Sequence, residues 1–194
     1  MSGQYIQTAS TDDVGAQVRK GGSVASAVQA GGVFTFTCYD QSGQVKWQDD
    51  MHNLVVNQGL QDMNTKYFTG SGYTATWYLG LYGAAASNNP TASDTAASHP
   101  GFTEITPYSN ATRPACTFGT ATTADPSVTT NASSPASFAI NATATVGGGF
   151  LISNNTKGGT TGVLFSAADF QSPGDRAVVD GDTLVVTYTF STGN

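Results

Sequence analysis

Between Val33 and Gln48 the chain alternates, Phe34, Phe36 and Cys38 interleaving with Thr35 and Thr37, and Val45 and Trp47 with Lys46 and Gln48. A period of two sends successive side chains to opposite faces of a strand, so the stretch predicts two strands, each buried on one side. Asp40-Gln41-Ser42-Gly43 supplies turn chemistry between them and joins them into a hairpin. The period then lengthens. Across residues 54–68, Val56, Leu60, Met63 and Tyr67 fall at i, i+4, i+7 and i+11, one stripe along a helix. Asn53 or Asn57 is placed to accept from the free backbone N–H groups at its start, His52 to cap or orient that start, and Gly70 to end it.

Period two returns in TATWYLGLY, with Trp77, Leu79 and Leu81 on one face, and recurs through EITPY, RPACTFGTA, PASFAINATATV, GGFLISN, TGVLFS and DTLVVTYTF. Clusters of Gly, Pro, Asn, Asp or Ser separate most of these runs. Threonine repeatedly occupies the polar position, which suits a pleated surface wet on one side. Seven to nine short strands and one helix near residues 54–68 predict a mainly β protein: an antiparallel β-sandwich, with jelly-roll connectivity as one way of threading it. The polar stretch from Gly83 to Gly101 exceeds the usual loop length and reads as a contact loop or exposed tip, with Asn88, Asn89 and Pro90 as interface candidates.

Residues 1–32 behave differently. Gly21, Gly22, Gly31 and Gly32 bracket a thin series of Val14, Val18, Val24 and Val28, too sparse for a core of its own. The segment reads as an N-terminal arm, either a free tail or a stretch ordered against a neighbouring subunit, and residues 33–194 as the sandwich body. Within the arm, Tyr5, Ile6, Val14 and Val18 are the apolar anchors for such an interface and Arg19 and Lys20 the only cations.

Charge narrows the functional classes. Of 194 residues, 7 are Lys or Arg and 13 Asp or Glu, a net charge of −6, which opposes an electrostatic grip on nucleic acid. Ten Phe, eight Tyr and two Trp supply the large apolar area a fold needs. Cys38 and Cys116 sit far apart within strand patterns, which favours two buried thiols over one disulfide. No apolar run approaches the length of a membrane span, and MSGQYIQTASTDD has no basic-then-apolar signal pattern, so synthesis in the cytoplasm and no membrane partner are expected.

Catalytic signatures are sparse. His52 and His99 lie in no metal-binding spacing, and Glu104 is the only glutamate, with no paired carboxylate of glycosidase type. Asp175, Asp180 and Asp182 could offer oxygens to calcium, but their spacing does not match a known loop, and Asp180-Gly181-Asp182 reads better as a tight turn feeding the last strand. No phosphate-cradling loop or nucleophile motif occurs. Asn110, Asn131, Asn141 and Asn154 begin Asn-x-Ser/Thr triplets, which follow from the richness in those residues. Trp77, Tyr78, Tyr82, Phe102 and Tyr108 admit a minor reading as a sugar platform. No catalytic residue, cofactor or metal is expected.

In HNLVVNQGLQDM, TWYLGLYG, SHPGFTEITPYSNATRPACTFG and LFSAADFQSPGDRAVVDGDTLVVTYTF, spanning about Val33 to Phe190, the chain resembles capsid decoration, or cement, proteins of tailed bacteriophages. The resemblance implies a non-enzymatic virion protein on the outside of an icosahedral shell, bound to a major capsid protein of HK97-type fold, and assembled as a dimer or trimer. A tail, collar or fibre component of the same virion is the alternative.

Overall fold

The computed structural model describes residues 28–70, 72, 76–83, 89–171 and 174–194. These residues form an antiparallel β-sandwich with one helix, as the alternation predicts. The first sheet is built on β1 (Gln29–Tyr39), β2 (Val45–His52) and β13 (Thr183–Gly193), in the order β2-β1-β13. β7 (Ser127–Thr130) and β8 (Ala136–Ala139) share the far edge of β13. The second sheet has the order β3-β11-β10-β4-β5, namely Leu54–Val55, Leu164–Asp169, Gly148–Ile152, Trp77–Tyr82 and Glu104–Ile105, with β6 (Ala115–Cys116) also on β4. A separate pair, β9 (Ala144–Val146) and β12 (Arg176–Val178), buries Val146 and Val178.

The predicted hairpin is β1–β2. Asp40 holds its turn, Oδ1 accepting from the amides of Ser42 (2.8 Å) and Gln44 (2.9 Å), while Gly43 takes the left-handed backbone (φ +82°) that its place requires. Phe34, Phe36 and Cys38 of β1 and Leu184, Val186 and Tyr188 of β13 point inward to meet Leu79, Leu81 and Leu151 of the second sheet. This inter-sheet layer is the main core.

Expectations at the arm boundary and around the helix need correction. Strand pairing begins at Gln29 rather than Val33: Gln29 lies opposite Gly193 and Gly32 opposite Phe190. Glycine punctuation suggested a boundary there, but Gly32 is bare because Tyr188 and the Thr189 carbonyl fill the space of a side chain. The helix α1 runs Asn57–Phe68, and Leu54–Val55 is a strand. Its buried line is Val56, Gly59 and, in part, Met63, whereas Leu60 and Tyr67 of the predicted stripe are exposed. The reason is Gly59: a Cβ there would lie 2.3 Å from the Phe165 carbonyl, so the helix backbone rests directly on β11. No side chain caps the helix N-terminus; Asn53 instead accepts from the Gly32 amide (2.5 Å) and donates to the Tyr188 hydroxyl (2.7 Å). His52 closes β2 and is exposed, while Gly70, left-handed at φ +69°, follows the helix as expected.

Candidate functional site

The stretch from Gly83 to Gly101, where described, is a lid on the outer face of the second sheet rather than an exposed tip. Ala96 and, just beyond the stretch, Phe102 are buried against Tyr82, Phe150, Ile152 and Leu164. Gln58 pins the lid to the helix and to β11, its Oε1 accepting from the amides of Ala96 (3.0 Å) and Leu164 (2.8 Å). Asp94, itself buried, shapes the lid by accepting from the amide and hydroxyl of Thr91, both at 2.9 Å. Asn89 is exposed and donates its amide to the Gly101 carbonyl, and Pro90 is half-buried. Asn88 and the arm candidates Tyr5, Ile6, Val14, Val18, Arg19 and Lys20 lie outside the described residues.

Beside the lid lies a charged cluster that the sequence did not single out. Arg113 and Glu104 are both almost wholly buried and meet bidentately, Nε to Oε1 at 2.9 Å and Nη2 to Oε2 at 2.6 Å. Arg113 also donates to the carbonyls of Asn154 (2.8 Å) and Gly159 (2.9 Å), and Glu104 accepts from the Gly158 amide (2.8 Å). The guanidinium lies 5.3 Å from the centre of the Phe150 ring. A buried pair of opposite charges persists only when its remaining hydrogen-bonding capacity is used, and here the loop 154–159 uses it. The cluster therefore clamps that loop to β5. A lone glutamate in a strand pattern was the available signal.

A second clamp holds the opposite region. Buried Asp182 accepts from Lys46 Nζ at 2.5 Å and from the Val179 amide at 2.9 Å, with Cys38 Sγ 3.7 Å away. Gly181 is left-handed (φ +86°), so Asp180-Gly181-Asp182 is the tight turn its sequence predicts. Burial, with the Asp182 carboxylate beside it, pushes the Cys38 thiol up to about 12, and burial alone pushes Cys116 to about 12. Both cysteines are free and buried. No group of three or more His, Cys, Asp or Glu suited to a metal ion occurs among the described residues.

The other candidates separate. His99 stacks edge-on against Phe102 at 4.6 Å, and burial lowers its basicity. Tyr82, Phe102 and Tyr108 are buried, so the minor sugar-platform set is divided between the interior and the surface. Asn131 is fully buried, accepting from the Tyr188 amide (2.7 Å), so this Asn-x-Ser triplet serves as a strand tie. No described helix is long and apolar enough to cross a membrane.

Between the sheets, Trp77, Phe118, Leu151, Phe165 and Phe190 line an apolar groove of about 230 Å³, with Met63 of the helix on one side and Asp62 and Lys66 at its mouth. Compared with known family models, curated proteins and solved structures, the chain matches none.

Proposed function

We propose that the protein is a non-enzymatic structural component of a tailed-phage virion, binding the outer surface of the icosahedral capsid and bridging neighbouring capsomers. The observation that carries the reading is the use made of buried charge. Arg113 and Glu104 clamp a loop, and Asp182 with Lys46 clamps the turn that feeds β13, so these ionic groups are committed to rigidity. A stiff acidic body, with a net charge of −6, suits adhesion. The resemblance in residues 33–190 supplies the identity of the partner, a major capsid protein of HK97-type fold, and the dimeric or trimeric state of the bound protein.

The mechanism is avidity. A subunit touching two or more capsomers makes its second contact at the effective concentration set by the first, so modest contacts sum to firm attachment. If the contacted surface exists only in the expanded shell, binding also favours that state by its differential affinity. Tyr5, Ile6, Val14 and Val18 of the N-terminal segment are the apolar residues proposed for such contacts.

Electron microscopy of particles made with and without the gene tests the proposal. Density spread over the whole shell, lost on deletion, is the expected result. Density confined to one vertex would overturn it in favour of a tail or collar role, and particles lacking the protein would overturn both.

A further inference from the structure

We infer that two copies of this chain pair about a two-fold axis, Phe68 of each entering the apolar groove of the other. The pairing supplies a surface for the dimeric state read above but requires no capsid, so it can fail while the virion reading stands.

The groove is one half of the contact. Its walls are mostly rings, Trp77, Phe118, Phe165 and Phe190, around about 230 Å³. Apolar cavities of about 150 Å³ stay dry and admit benzene, so this one takes a phenyl ring. A second hollow adjoins it across the shared Trp77, Phe118 and Thr129, and adds Thr76, Thr117 and Gly119 without a charged side chain.

The end of the helix is the other half. Met63 and Tyr67 stand four positions apart and so share a face of α1. Met63 lines the groove and packs on the core, yet one turn later Tyr67 is 83% exposed and Phe68 76%, their rings edge-on at 4.9 Å. Two exposed rings beside an apolar groove put a knob and a hole on one surface. Such a surface is self-complementary, which is what a two-fold interface demands. Phe68 suits the groove, and Tyr67, with a hydroxyl to satisfy, suits the threonine-lined hollow.

Charge and area favour a second copy as the occupant. The chain's net charge of −6 sets copies against each other, but the only charged side chains on the groove, Asp62 and Lys66, face one another at 3.9 Å and cancel. The copies therefore meet across a locally neutral patch. Four aromatic side chains, each burying roughly 150 Å² and covering as much of the facing copy, remove on the order of 1,200 Å² from water, enough for a specific pair.

Sedimentation of the purified full chain tests the assignment. The expected species is a dimer that dissociates on dilution. Phe68→Ser removes the knob at both ends of the interface, so the dissociation constant should rise at least about hundredfold. Val45→Ser, which removes an exposed apolar side chain from β2, should leave it unchanged. A monomer at concentrations up to roughly 1 mM, a trimer, or equal responses to the two substitutions would overturn the proposal. A second readout follows the groove itself. Trp77 emission, isolated by Trp47→Phe, should move to longer wavelength as the dimer dissociates and water reaches the ring. Unchanged emission across the dissociation would place the interface elsewhere and also overturn the assignment.

Discussion

The two faces of the second sheet are buried by different means. Its inner face meets the first sheet through side chains alone, Leu79, Leu81 and Leu151 against Phe34, Phe36 and Tyr188. Its outer face is roofed by the stretch 89–103, in which only Ala96 and Phe102 are buried apolar side chains, so further contacts are needed to hold it down. Polar ties do that work: Gln58 to Ala96 and Leu164, and Arg113 to Glu104, Asn154 and Gly159. The inner face follows from strand alternation, whereas the outer face depends on a few long-range polar contacts whose loss should be local and severe.

Arg113→Ala gives the largest expected effect. Removing one partner leaves the Glu104 carboxylate buried without its countercharge, at a cost of about 3–5 kcal/mol. Phe36→Ala in the inner core should cost a similar amount, about 3–5 kcal/mol, through the cavity it leaves. Hydrogen exchange distinguishes the two. Arg113→Ala should release the amides of residues 154–159 while β1 and β13 stay protected, and Phe36→Ala should weaken β1 and β13. Loss of protection across both sheets in Arg113→Ala would erase the distinction drawn between the faces.

A smaller effect tests how tightly the roof is packed. A Cβ on Gly80 would lie 2.1 Å from Phe150 Cζ, and that ring is hemmed in by Phe102 at 5.6 Å and the Arg113 guanidinium at 5.3 Å. Gly80→Ala should therefore cost about 1–3 kcal/mol by overpacking. Gly31→Ala, with nothing within 4 Å of the added carbon, should stay within about 0.5 kcal/mol. Urea denaturation compares the pair, and equal midpoints would mean that Phe150 moves freely.

The same contrast explains what the sequence could reveal. The β1–β2 hairpin and β13 were legible because each has a buried face written in period two, and β4 and β10, buried on both faces, because each is a short apolar run between turn residues. β7 and β12 were not: Ser127–Thr130 is half-buried throughout and borrows its order from β13, and Arg176–Val178 is a three-residue pair with β9. The run PASFAINATATV reads as one strand yet divides, β8 joining β13 and β9 joining β12, with Ile140 bridged to Tyr108 between them. The helix stripe failed at Gly59 because a backbone-to-backbone contact leaves no apolar letter. Of the site, the Asp182 turn was legible from local spacing. The Arg113–Glu104 clamp was not, since its carbonyl partners lie 41 and 46 positions away and leave no pattern in the sequence.

The smallest effect carries the opposite sign and sets a tyrosine of each face against the other. Tyr82, on the outer face, donates its hydroxyl to the Ala168 carbonyl at 2.7 Å, so Tyr82→Phe should cost about 1 kcal/mol. Tyr108, in the inter-sheet core with its ring edge-on to Phe138 at 5.0 Å, has a buried hydroxyl with no partner among the described residues. Lys157 Nζ, 4.2 Å from that ring's centre, spends its hydrogen bonds on the carbonyls of Tyr108 and Asn110. An unmet buried hydroxyl carries its desolvation cost without return, so Tyr108→Phe keeps the ring contacts and should raise stability by about 1 kcal/mol. Thermal or urea unfolding of the two variants side by side decides the matter: a loss in Tyr108→Phe as large as in Tyr82→Phe would mean that the Tyr108 hydroxyl also has a partner in the folded protein.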